Sequence, residues 1–190
     1  MSQGLTSDIL SQLQSYTEYN LNTSQTEFYT QNNASQEIMR YVHLQGKTFG
    51  EKCMEPIAKE YFNLESRNDS GHDHVKNGKK LEQKSARWHG NGNDWKWQHI
   101  EMAHDWDYLL LCGLDFNDIK YYIASRKIVE NLIEDGIITG QGKKNKNGVA
   151  QPQQAYWFSR SDFDKKNKYF TDYFKLINNE EQLIHYLNHN

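Results

Sequence analysis

Residues 108–114, Tyr-Leu-Leu-Leu-Cys-Gly-Leu, are the longest apolar run in the chain, with Asp107 before it and Asp115 after it. The run is far shorter than the ~20 residues that span a bilayer. A short apolar run between polar turns suits a strand covered on both faces, because neither face carries a polar alternation for water. A strand is therefore expected over 107–116, and something apolar must pack on each side of it. The stretch 118–126, Asp-Ile-Lys-Tyr-Tyr-Ile-Ala-Ser-Arg, alternates and reads as its neighbour across the short turn Asn117-Asp118.

Elements that could supply the cover occur on both sides in sequence. Ile9, Leu10, Leu13 and Tyr16 follow a helical spacing after the capping group Thr6-Ser7-Asp8. Helices are also expected over 34–44 and 48–64, with Pro56 either kinking the second or opening a fresh first turn. Further helices are read at 127–136, ending on Gly136, and at 161–177, capped by Ser161 or Asp162. The segment 94–106 has helical spacing, with Trp97, Ile100 and His104 on about one side. Residues 87–94 read as a loop and 155–160 as a strand. Strands and helices intermix, which predicts an α/β class with a mixed central sheet flanked by helices. At 190 residues a single domain, 1–190, is expected.

Composition narrows the function classes. Aromatic residues make up 13% of the chain, too many for a solvated disordered segment. The two cysteines, Cys53 and Cys112, form no CxxC, so a reduced, intracellular (cytoplasmic) setting is expected rather than a disulfide scaffold. The N-terminus has no basic flank followed by an apolar stretch, so no secretory signal and no membrane association are expected. A net charge of −3 argues against a protein that coats polyanions generally. Local basic runs at 76–80, 84–87, 142–148 and 164–168 leave room for a basic groove around an acidic site.

Such an acidic site is suggested by residues 73–84, Asp-His-Val-Lys-Asn-Gly-Lys-Lys-Leu-Glu-Gln-Lys. Asn77-Gly78 is a strong hairpin signal, because a type I′ turn needs positive φ at both central residues. That turn predicts Lys76 opposite Lys79, Val75 opposite Lys80, His74 opposite Leu81 and Asp73 opposite Glu82. Opposed side chains stand ~5 Å apart on one face, and Lys84 shares the face of Glu82 by strand alternation. Two carboxylates so placed repel unless a cation lies between them. Hard oxygen ligands with open positions suit Mg²⁺, which keeps waters and binds substrate phosphates. A lysine beside them can stabilise developing negative charge or orient an attacking water. Asp69 is a second candidate for the first carboxylate, outside the hairpin register.

In their order and setting these residues resemble a known family. "GHD", eight residues, then "EQK", preceded by "FGEKCMEPIAKEYF" and followed by "WQHIEMAHDWDYLLLCGLD", is similar to the PD-(D/E)XK nuclease superfamily, specifically type II restriction endonucleases. The resemblance covers about 48–126, leaving a helical part, 1–47, and a C-terminal part, 127–190, to which DNA recognition and dimerisation would fall. His72 stands where the family often has Pro, and Gln83 where the middle residue is usually apolar. The resemblance implies a restriction-endonuclease-like core and Mg²⁺-dependent, site-specific cleavage of double-stranded DNA to 5′-phosphate and 3′-hydroxyl ends. It implies that Asp73, Glu82 and the backbone of Gln83 hold the metal, that Lys84 acts on the attacking water, and that Glu51 supports the site. A repair or recombination nuclease of the same fold, or a DNA-binding protein without catalysis, is the alternative.

Lys76, Arg87, Gln98, Lys143, Lys144 and Lys146 are the candidate DNA contacts, the last three within 142–154, whose Lys, Asn and Gln can reach phosphates and base edges. A homodimer is expected, since palindromic sites match two-fold symmetry. Trp88, Trp95 and Trp97 can serve either as core or as stacking surfaces beside the site. Other chemistries find less support. His72 and His74 would share the strand face opposite Asp73, so the three cannot converge on a metal. His99 and His104 are five apart, unlike the i, i+4 pair of a zinc peptidase helix, and the glycines at 90–93 lack the lysine of a phosphate loop.

Overall fold

All seven residues of Tyr108–Leu114 are buried, and the strand they form lies between two others along its whole length. The computed structural model describes residues 23–44, 46–67, 69–89, 94–142 and 155–190. The helix expected around Ile9, Leu10, Leu13 and Tyr16 falls outside them, as do Lys143, Lys144 and Lys146. In chain order the helices are α1 (Thr23–Gln31), α2 (Gln36–Val42), α3 (Gly46–Phe49), α4 (Glu55–Tyr61), α5 (Arg126–Glu134), α6 (Ser161–Asp164), α7 (Phe170–Tyr173) and α8 (Glu180–His189). A π-helical turn, Gly50–Met54, joins α3 to α4. The strands are β1 (Glu65–Ser66), β2 (His74–Lys76), β3 (Lys79–His89), β4 (Asp94–Ile100), β5 (Tyr108–Leu114), β6 (Ile119–Ser125), β7 (Thr139–Gly140), β8 (Tyr156–Ser159) and β9 (Lys175–Ile177).

The sheet is mixed, in the order β7-β8-β4-β3-β5-β6-β9, with β2 also on β3 and β1 on β2. Among the described strands only β3 and β5 run parallel, paired from Leu81↔Tyr108 to Arg87↔Leu114. Alternation along β5 divides its side chains between two cores. Tyr108, Leu110, Cys112 and Leu114 join Tyr29, Tyr41, Met54, Phe62 and Leu183 beneath α1 to α4 and α8. Leu109 and Leu111 join Trp97, Val129, Leu132, Phe158, Phe163, Phe170 and Phe174 beneath α5 to α7. Helices thus flank both faces, as the apolar run requires. Gly113 lets the Trp95 indole lie on β5: a Cβ there would sit 2.8 Å from Trp95 Cε2. Among the described residues no helix is long and apolar enough to cross a membrane.

Three expectations change in the fold. Residues 94–100 are strand, where helical spacing was read. One extra residue on β4 between Trp97↔Phe158 and Ile100↔Tyr156 makes a bulge. It puts two buried residues three apart, a spacing that imitates a helix. Arg87, Trp88 and His89, expected in a loop, continue β3 instead, and Trp88 packs edge-on against Trp95 across the ladder, ring centroids 4.6 Å apart. Residues 161–177 are not one helix but α6, α7 and β9, because Asn167 turns left-handed at φ 55 in the polar stretch between the helices. Pro56 opens the first turn of α4, the second of its two expected roles.

Candidate active site

Asn77 and Gly78 adopt φ of 50 and 73, and the turn sets the register Lys76↔Lys79, Val75↔Lys80 and His74↔Leu81. The ladder stops there. Asp73 is not a ladder partner of Glu82: its N–H donates to the Leu81 carbonyl at 3.0 Å. Its carboxylate turns to β3, where Oδ2 accepts the Gln83 N–H at 2.7 Å. A strand residue's N–H and C=O leave by the same edge, so the Gln83 carbonyl faces the edge that Asp73 occupies. The Gln83 side chain lies in the interior, its Oε1 accepting from His74 Nε2 at 2.9 Å. Burial holds the His74 ring below its ordinary pKa, which favours this neutral donor.

Glu82 and Lys84 share a face as alternation predicts, Lys84 Nζ lying 2.5 Å from Glu82 Oε1. Glu82 is 3% exposed. Burial raises its pKa, the Lys84 ammonium opposes that, and the Asp73 charge adds to it. Glu51 lies in the π-helical turn, with Glu55 at the start of α4. The Glu55 carboxyl is pushed up to about 8, first by burial and then by the charges of Asp73 and Glu51; Lys84 pulls it down and Glu82 adds to the rise. Glu55 was not among the residues read from sequence. The available signal was its i, i+4 spacing from Glu51 on the helix before the hairpin, which places both on one side.

Two clefts meet over this cluster and share Glu51, Glu55 and Lys84. One, of 740 Å³, is lined by Asp73 and rimmed by Lys52, Lys59 and Arg67. The other, of 680 Å³, lies where β3 and β4 splay apart beyond their two ladder pairs, Trp88↔Trp95 and His89↔Asp94. Its walls are Gln83 to Arg87 on one side and Lys96, Gln98, His99 and Glu101 on the other. Among the described residues no three His, Cys, Asp or Glu side chains are grouped so as to hold a metal ion. The donors that could contribute to one are Asp73, Glu82 and the Gln83 carbonyl.

Of the candidate DNA contacts, Gln98 lines the second cleft, from a strand and not from a helix. Lys76 does not belong there. It is 6% exposed, and its Nζ donates to the Asn63 carbonyl at 2.8 Å and to Glu180 Oε1 at 2.5 Å. Arg87 lines the cleft, but its guanidinium is engaged with the Val42 carbonyl at 2.8 Å and the Leu44 carbonyl, over the Phe49 ring. Trp95 and Trp97 are core, their Nε1 groups donating to the Leu114 and Cys112 carbonyls at 3.0 and 3.1 Å. Asp69 pairs with His72, 3.1 Å away, and lines neither cleft. The basic groups at the clefts that sequence reasoning missed are Lys52, Lys59, Arg67 and Lys96. The chain matches no protein-family model and no curated protein.

Proposed function

We propose that this protein is a metal-dependent endonuclease of the PD-(D/E)XK type, with a restriction-endonuclease-like core, that hydrolyses double-stranded DNA at specific sites. The observation that carries the reading is the gathering of Asp73, Glu82, Glu55 and Glu51 around one ammonium, Lys84, where two clefts meet. A core gains nothing from such crowding: burial raises the carboxyls of Glu55 and Glu82, and the Asp73 charge raises both further. A hard divalent cation relieves it. The donor set, two carboxylates and a backbone carbonyl, suits Mg²⁺, which needs only one or two protein carboxylates when water and phosphate complete its shell.

Asp73, Glu82 and the Gln83 carbonyl would hold the ion, which when bound supplies positive charge to the phosphate and acidity to a water. Gln83 N–H fixes the Asp73 carboxylate in place for that task. Lys84 directs its ammonium at the attacking water or at the charge that grows on the phosphate oxygens, an interaction that strengthens toward the transition state. Water adds to phosphorus and the 3′-oxygen leaves with a proton, giving 5′-phosphate and 3′-hydroxyl ends. Lys52, Lys59 and Arg67, which rim the cleft of Asp73, would meet backbone phosphates beside the acidic floor. A homodimer would present two such sites to a palindrome.

Incubation with a defined plasmid, with Mg²⁺ and with chelator, tests the reading. Discrete fragments that need the metal support it, and diffuse or structure-dependent cutting points to a repair or recombination nuclease. Binding without any cleavage leaves a DNA-binding protein, and neither binding nor cleavage overturns the proposal.

A further inference from the structure

β4 carries one residue more than β8 between Trp97↔Phe158 and Ile100↔Tyr156, and the extra residue changes which side chains face the groove. Regular alternation would turn His99 into the core beside Trp97. With the bulge, Trp97 and Ile100 are both buried, while two consecutive residues, Gln98 and His99, turn to the cleft opposite Lys84. His99 is left-handed, at φ 59, uncommon outside glycine although His, like Asn and Asp, enters this region more readily than most residues. Gln141 braces the bulge from β7's end: its Oε1 accepts the His99 N–H at 3.0 Å and its Nε2 donates to Gln98 Oε1 at 3.3 Å. A bulge needed for shape alone is served by Gly or Asn at that φ. Here the position keeps an exposed imidazole.

We propose that the Gln98–His99 bulge, oriented by Gln141, is the element with which this groove reads DNA bases beside the phosphate it cuts, an inference that rests on the hydrolytic reading above. The amide and the imidazole present directional hydrogen-bonding groups, which suits base edges, whereas the cation beside them, Lys96, is held over the Trp157 ring at 3.7 Å. Gln141 takes up the oxygen of the Gln98 amide and so leaves its N–H₂ to donate outward. A side chain whose amide orientation is set before binding discriminates better than a free one, because less ordering is required on contact.

The test compares the wild type with His99→Gly and Gln141→Ala on a random-sequence duplex pool with Mg²⁺, reading the sequences at the cut ends and the melting temperature of each protein. Glycine accepts the left-handed backbone, so His99→Gly should melt at or above the wild type. Its preference at one or two base pairs beside the cut should fall by about 5- to 150-fold, the discrimination of a single good base contact, with a smaller loss at the same positions for Gln141→Ala. Unchanged cut-site preferences in a wild type that cuts overturn the inference alone. So does a His99→Gly that melts well below the wild type while Gln141→Ala keeps the preference, since the bulge is then structural. A wild type that cuts no duplex overturns the hydrolytic reading, and the inference falls with it.

Discussion

Lys76 and Lys84 belong to the same hairpin, yet their ammonium groups have opposite surroundings. Lys76 shares a face with His74 and Leu81 and is tied to the Asn63 carbonyl and to Glu180, so it joins β2 to the end of α4 and to α8. Lys84 shares the other face with Glu82, lines both clefts, and stands among carboxylates that outnumber it. The first lysine has its charge matched within the fold. The second faces four carboxyl groups, and the crowding shows in the raised pKa of Glu55 and Glu82. The difference teaches that the pleat's parity decides which charge is tied into the fold and which faces the clefts.

The sharpest way to break the comparison is to remove each lysine. Lys84→Ala should lower cleavage by about 10²- to 10⁴-fold, the range for a lost group that stabilises transition-state charge. Glu82 can take up a proton in place of the lost ammonium, its carboxyl being already raised by burial, so the melting temperature should stay close to that of the wild type. A folded Lys84→Ala that cuts at the wild-type rate ends the catalytic assignment. Lys76→Met should do the reverse. The substitution strands the Asn63 carbonyl and the Glu180 carboxylate, although the Glu180 side chain is 39% exposed and water screens much of that loss. Calorimetry should show a lower melting temperature with cleavage little changed.

Glu55 sharpens the contrast through pH. Its carboxyl is raised from 4.5 to about 8 in the fold, so the folded chain binds more protons than the unfolded chain between those values. The group's contribution is therefore fully present below about pH 4.5 and is lost as pH rises through about 8. Glu55→Gln should then be more stable than the wild type at pH 9, by on the order of 1–2 kcal/mol, and no different at pH 4. Denaturant unfolding at the two pH values would show it, and equal stabilities at both would remove Glu55 from the cluster. The smallest effect is expected at the turn that both lysines depend on. Gly78 holds φ 73 with nothing near its Cα that a methyl would strike, so Gly78→Ala should cost only about 1 kcal/mol of backbone strain. A larger loss in urea titration would mean that the hairpin register itself had shifted.

How much of this was legible differs from element to element. β5 and β6 were readable because a fully apolar run and a plain alternation each have one structural meaning at that length. The hairpin register was readable because Asn77-Gly78 admits one turn, and with it the shared face of Glu82 and Lys84. The extension to Asp73 failed: the strand leaves its ladder at His74, and the Asp73 carboxylate is taken up by the Gln83 N–H. β4 was misread because a bulge imitates the period of a helix. What engages Lys76 and Arg87 was not legible, because basic character says nothing about the carbonyls and carboxylate that α8, α2 and the α4 turn bring to them.

The sequence by itself determined the local events: which strand is buried on both faces, where the chain turns, and which residues of one strand share a face. These depend on neighbours in the chain, through periodicity and the φ demands of single residues. Only the tertiary structure decided that Glu55 joins the cluster, that β3 and β4 splay into a cleft, and that Gln141 orients a bulge on β4. Each of these sets groups distant in sequence against one another, and burial, charge and hydrogen bonding between such groups have no value until packing has fixed the distances.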